Sequence, residues 1–162
     1  MNSCLSLIGT VTSLHVHPPK AGLPFLNVDE VHLVAEKGIQ EDRRYFGRTS
    51  RSTGQPSRRQ VTLIEREQIT EHAVALGLEG IRAGEVRSNM ETTGVDLQKL
   101  MGRDVQVGEA VVRFYEPRTP CAKMDALFPG LRQLMENSRQ GVLAYVVRSG
   151  VVRVGDAIRP VE

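Results

Sequence analysis

Only two of the 162 residues are cysteine, Cys4 and Cys121, and no Cys-x-x-Cys, His-Glu-x-x-His or other Cys/His cluster occurs. A closed structural zinc site needs four such ligands at short spacings, so the chain offers no sequence basis for one. A long apolar run is also missing; none approaches the ~20 residues that span a bilayer. The N-terminus, Met1-Asn2-Ser3-Cys4-Leu5, lacks a basic segment followed by an apolar one and does not read as a secretory signal. A chain without that signal is expected in the cytoplasm, with both thiols reduced. Charge of one sign is not in excess either. Lys and Arg number 21 against 19 Asp and Glu, a formal net charge of +2 that gives no reason to expect nucleic acid or a membrane as partner. No flavin, nicotinamide or iron–sulfur motif is present, so any reduction would draw electrons from another protein.

What is present is an ordinary globular composition, 40% hydrophobic and 25% charged, which at this length predicts one domain over residues 1–162. Strand signals dominate. Ile8 to His17 is β-branched and partly alternating, and stops at Pro18-Pro19. Further strands are expected at 31–34, 59–64, 86–90, 104–107, 110–115, 141–147, 151–154 and 157–161. Gly102, Gly108, Gly150 and Gly155 punctuate them as turns. Many short strands with glycine turns predict a barrel or sandwich. Two helices are expected beside them. One runs from Glu65 to Leu76, with Ile69, Ala73 and Leu76 on one face and Gly77 as the stop. The other runs from Lys123 to Asn137 and breaks at Phe128-Pro129-Gly130.

Two segments carry chemistry. Residues 43–59 hold six arginines (43, 44, 48, 51, 58 and 59) and no acid, among Gly, Ser, Thr and Pro residues that predict a long loop. That loop reads either as a solvated basic surface or as an anion clamp, since arginine meets phosphate and carboxylate bidentately. Cys121 sits between Arg118 and Lys123, where cations favour the thiolate, which is both a nucleophile and a soft metal ligand. A helix starting there would favour the anion further, and a buried apolar thiol is the alternative.

Five short motifs, in order, resemble the MOSC domain family, named for the C-terminal domain of molybdenum cofactor sulfurase. Gly38-Ile39-Gln40-Glu41-Asp42-Arg43-Arg44 is similar to its Gly-x-x-Gly-Asp-Arg-His, with Glu41 for the second glycine and Arg44 for the histidine. Residues 59–64, Arg-Gln-Val-Thr-Leu-Ile, match a family strand. Residues 84–97 resemble Gly-Glu-x-x-x-Asn-Ile-x-Thr-x-Gly-Val-Asp-Leu. Thr119-Pro120-Cys121 stands where the family carries its single cysteine, and residues 150–156 resemble the closing Gly-x-x-x-x-Gly-Asp turn. Together they cover about residues 8–160, and five in order are far more specific than one. The resemblance implies a mostly β, MOSC-type barrel with a few α-helices in a single domain. It also implies a site that binds a molybdenum or sulfur-containing group through the cysteine. Members include amidoxime-reducing molybdoenzymes and stand-alone proteins proposed as sulfur carriers or as reductases of N-hydroxylated bases. Pyridoxal phosphate binding is a further property associated with the family.

Each candidate residue has a structural reading beside the functional one. Asp42 caps a turn, while Arg43 is either exposed or a phosphate or pterin ligand. Arg59 and Gln60 open a strand, either as exposed polar ends or with one turned into the site. On an extended segment Arg87 and Asn89 share a face; Asn89 is a ligand contact or a turn former, and Thr92 joins the cofactor-binding candidates. Asp96 reads as a helix N-cap. His15, His17 and His72 have no partner visible in the sequence, and His72 is expected to face solvent. Three functions remain open. Cys121 ligates the metal of a molybdenum–pterin cofactor. Alternatively it holds a persulfide, as a sulfur carrier or C–S bond-processing protein fed by a redox or sulfur-donor protein. Or the site is a non-catalytic module for an anionic small molecule.

Overall fold

The computed structural model describes residues 7–162, so Cys4 lies outside the described residues. Their order is β1 (Gly9–Val16), β2 (Leu26–Val28), β3 (Glu30–Val34), β4 (Gly38–Ile39), β5 (Val61–Glu65), α1 (Arg66–Ala75), β6 (Met90–Thr93), a 3-10 helix (Leu97–Leu100), β7 (Asp104–Val107), β8 (Ala110–Pro117), α2 (Ala122–Leu127), α3 (Leu131–Leu134), β9 (Val142–Arg148), β10 (Gly150–Arg153) and β11 (Ala157–Pro160). Seven strands close into a barrel in the order β1-β11-β7-β8-β9-β5-β6 and back to β1. Neighbours are antiparallel except β5 and β6, which are parallel and connected through α1, as a parallel pair requires a crossover. Closure removes the free edges that so many short strands would otherwise expose. β3, β4 and β10 form a separate three-stranded sheet, and β2 extends the barrel beside β1. The expected mostly-β barrel is therefore what the chain builds. No helix among the described residues is long and apolar enough to cross a membrane.

β1 pairs with three strands along its length: Gly9 and Thr10 with β11, Thr10 to Leu14 with β6, and Leu14 to Val16 with β2. Its register shifts between Val11 and Ser13, a bulge that bends the strand around the barrel. Gly9 lets β1 run close against β6, since a Cβ there would lie 2.5 Å from the Thr93 carbonyl oxygen. Aliphatic side chains fill the barrel, among them Val11, Leu14, Leu63, Met90, Val112 and Ala144, around the single aromatic ring of Phe114. Each of the larger ones contributes ~1.5–3 kcal/mol by leaving water. Outside the barrel wall a second cluster joins Ile64 of β5 to Ile69 and Ala73 of α1, Met124 of α2 and Leu131 of α3. β5 is thus covered on both faces and all five of its residues are buried. α1 stops at Gly77 (φ 70°), where the Gly77 amide donates to Val74 O and the Leu78 amide to Ala73 O.

Three expectations change. The strand expected at 86–90 begins only at Met90, because a turn occupies the residues before it and Arg87 takes a left-handed φ of 62°. Val86 packs into the helix-side cluster instead. His72 does not face solvent: it is 1% exposed, and its Nε2 donates to the Arg139 carbonyl at 3.0 Å. Burial pushes its pKa below the ordinary value. Asp96 does stand at the N-cap of the 3-10 helix, but its side chain makes no capping bond; Glu65 Oε2 accepts the Leu97 amide instead, at 3.1 Å. β2 and β4 have no strong sequence signal, being three and two residues long.

Candidate functional site

One end of the barrel carries a cavity of about 470 Å³. Segments distant in sequence converge on it, among them the link after β1, residues 43–45 beyond β4, the start of β5, the turn before β6, and the link from β8 to α2. Arg43, Arg59, Gln60, Arg87, Asn89 and Cys121 all line it. Thr92 does not. It is fully buried in β6, where its hydroxyl lies 3.5 Å from the Ile64 carbonyl, which removes it from the candidate set.

Asn89 is the hub of the floor. Its Oδ1 accepts from the Thr62 amide (3.0 Å) and the Thr62 hydroxyl (3.1 Å). Its Nδ2 donates to the His15 carbonyl (3.1 Å) and to Asp42 Oδ2 (3.0 Å). All four bonding positions of the amide are therefore occupied by protein. Asn89 holds the floor together and keeps nothing for a ligand, contrary to the expectation of a ligand contact. Gln60 is similar: Oε1 accepts the Val146 amide and Nε2 donates to the Ser57 carbonyl, both at 2.8 Å. One N–H of Gln60 is left for the cavity.

Asp42 was expected to cap a turn. It does accept the Arg44 amide at 3.2 Å, but its main partner is His17, whose Nδ1 lies 2.8 and 3.0 Å from the two carboxylate oxygens. Burial alone would raise the Asp42 pKa; the bonds from His17, Asn89 and the Arg44 amide outweigh it and hold the carboxyl below its usual range. The His17 ring packs on Phe25 (centroids 4.3 Å apart) and edge-on to Tyr45 (5.0 Å). Arg44 occupies the motif position where the family has histidine, and the imidazole beside Asp42 comes instead from the end of β1. Sequence spacing gave no sign of this pair. His15, by contrast, is buried, with Nδ1 2.7 Å from the Ser88 carbonyl, and its pKa is lowered chiefly by burial.

Six cations line the cavity, Arg43, Arg44, Arg59, Arg87, Arg118 and Lys123, and no carboxylate lines it. Arg118 is the most consequential. Its Nη1 donates to the Arg87 carbonyl at 3.2 Å, and no carboxylate among the described residues pairs with it. Burial, then the neighbouring Arg59, pushes its pKa down to about 10, so it remains a cation at neutral pH. Arg87 crosses Phe25, 5.4 Å from the ring centroid, and its Nη2 reaches the Leu23 carbonyl at 3.4 Å. The basic loop is laced by backbone bonds, Ser50 N to Gln55 O (2.8 Å) and Ser57 N to Arg48 O (2.9 Å). Its Arg58 sits outside the cavity, stacked 4.3 Å over Tyr115 and 5.2 Å over Tyr145.

Cys121 is exposed at the cavity wall and is the residue immediately before α2. α2 has six residues, too few for a large aligned dipole. No group of three or more His, Cys, Asp or Glu side chains among the described residues is arranged to hold a metal ion.

The family model of the MOSC domain matches residues 30–159. The chain belongs to the MOSC domain family. YuaD from Bacillus subtilis has a similar structure, with a TM-score of 0.72 at 18% identity over 93% of this chain and 94% of that one. YiiM from Geobacillus stearothermophilus gives 0.72 at 19% identity, over 95% of this chain and 75% of that one. YiiM from Escherichia coli gives 0.65 at 22% identity, over 96% and 69%. At these identities the likeness shows the common MOSC fold. No curated protein matches the sequence.

Proposed function

We propose that this MOSC domain binds an anionic pterin cofactor of molybdenum, with Cys121 Sγ as the soft protein ligand. The observation that carries this is one exposed thiol sharing a 470 Å³ cavity with six cations and no carboxylate lining. A cavity of this volume is within the ~300–1,000 Å³ of small-molecule and cofactor sites. The residues present also fit the group. No three metal-binding side chains converge here, so a metal at Cys121 must arrive with its other ligands already supplied, as in a chelating organic cofactor. Bound, such a cofactor supplies redox or sulfur-transfer chemistry at its metal. The chain supplies charge and position. Arg43, Arg59, Arg87 and Arg118 would hold its phosphate, and the free N–H of Gln60 would be available to a ring acceptor.

The exposure of Cys121 favours a second reading, since a donor protein can reach the thiol directly. There the Cys121 thiolate attacks the outer sulfur of a donor persulfide. A new S–S bond forms on Cys121, the donor S–S bond breaks, and its electron pair leaves with the donor thiolate. Metal analysis and mass spectrometry of freshly purified protein separate these. Molybdenum that is retained by the wild type and lost from Cys121→Ser supports the first. An added mass of about 32 Da on Cys121, one sulfur, supports the second. Neither signal, with anion binding intact, leaves a non-catalytic binding module.

A further inference from the structure

We propose that His17, aligned by Asp42, is the proton donor and acceptor of this cavity: its Nε2–H bonds a bound oxyanion, and the proton is taken up from solvent as the anion binds. The inference rests on the cavity being an anion site and adds to it a proton-carrying group.

Three observations carry it. Both oxygens of Asp42 lie within 3.0 Å of His17 Nδ1, and that buried carboxylate is itself fixed by Asn89 Nδ2 at 3.0 Å. An ionised carboxylate only accepts, so Nδ1 carries a hydrogen and the variable proton belongs to Nε2. Next, Nε2 has no hydrogen-bond partner among the described residues, while the His17 side chain keeps 17% exposure and lines the cavity. Finally, the ring is held between Phe25 and Tyr45 at 4.3 and 5.0 Å, so its direction is set before any ligand arrives.

The surroundings explain why binding and protonation are coupled. Asp42 is the carboxylate in contact with His17, and Arg43, Arg44 and Arg87 line the same cavity. A bound oxyanion adds negative charge beside the ring and an acceptor for Nε2–H, and both favour the protonated imidazole. The same imidazole can then pass its proton through Nε2 to an oxygen or sulfur of the bound ligand and regain it from water, with Asp42 ionised throughout. The other three histidines are placed differently. His15 and His72 are buried on backbone carbonyls, and His32 pairs with Glu41 at the surface.

Sulfate is the probe, because it stays a dianion across the neutral range and any proton taken up belongs to the protein. Histidine ring resonances of the wild-type protein are titrated by NMR with and without sulfate. The His17 midpoint should move to higher pH with sulfate, and those of His15, His32 and His72 should not. By reciprocity, wild-type sulfate affinity should be about tenfold higher at pH 6 than at pH 8. His17→Gln should bind with equal affinity at both. Sulfate binding that leaves the His17 midpoint in place, or a pH dependence that survives in His17→Gln, overturns the proposal and leaves the anion site standing. Failure of the wild type to bind sulfate at either pH overturns both.

Discussion

Glu65 gives the sharpest stability prediction. It ends β5, is 4% exposed, and turns its carboxyl onto the 3-10 helix, where Oε2 accepts the Leu97 amide at 3.1 Å. Burial is the main force on it and raises its pKa. The Leu97 bond opposes that rise, and the negative charges of Asp96, Glu67 and Glu71 add to it. The result is a shift from 4.5 to about 7. The folded pKa is the higher one, so this group's contribution is fully present below pH 4.5 and is lost as pH rises to about 7. Over that window the unfolded chain releases the proton while the folded chain keeps it. At ~1.4 kcal/mol per pH unit the loss is about 3 kcal/mol, complete above pH ~7. Glu65→Gln retains an acceptor for the Leu97 amide and removes the ionisation. It should match the wild type near pH 4 and exceed it by about 3 kcal/mol at pH 8, a Tm gain of roughly 6–12 °C in a chain of this size. Urea denaturation of both proteins followed by circular dichroism at pH 4, 6 and 8 measures this directly. A stability difference that stays constant across the three pH values would refute the assignment of a buried, proton-holding Glu65.

Arg118→Met should leave stability unchanged or raise it, because it removes a half-buried cation with no carboxylate partner among the described residues, while weakening sulfate binding by at least about tenfold; a clear loss of stability at unchanged binding would count against the anion anchor. Asn89→Ala should cost about 2–4 kcal/mol in denaturant unfolding, since it strips partners from Thr62, His15 and Asp42 together. A cost under about 1 kcal/mol would mean that water replaces the hub. Cys121 should prefer anionic iodoacetate over neutral iodoacetamide by about tenfold more than free cysteine does, read by peptide mass spectrometry to separate it from Cys4. Equal preference would show that the six cations do not act at the thiol.

The elements legible in the sequence were those whose signal is local. The β-branched run ending at Pro18-Pro19 became β1, the Ile69/Ala73 stripe became α1 stopping at Gly77, and Phe128-Pro129-Gly130 separated α2 from α3. Where local signal was weak, the outcome depended on tertiary contacts. The extended stretch expected before Met90 turned at Arg87, and His72 left solvent for the Arg139 carbonyl. Arg43, Arg59, Gln60, Arg87, Asn89 and Cys121 were recognisable as a set and do line one cavity. Their individual roles were not recognisable, and Thr92 was misplaced.

The sequence by itself determined a strand-rich fold, a barrel or a sandwich by its short strands and glycine turns and a barrel by its family motifs, together with the chemistry on offer, one thiol in a basic context. Tertiary structure alone decided which polar groups remain free to act. Asn89 and Gln60 are largely occupied by backbone and side-chain partners, whereas among the described residues His17 Nε2 and most of the Arg118 guanidinium have none. A polar side chain's role depends on whether its bonding positions are already filled. The groups that fill them here lie as far as 86 residues along the chain, as for Gln60 and Val146, and barrel closure is what brings them within hydrogen-bond reach.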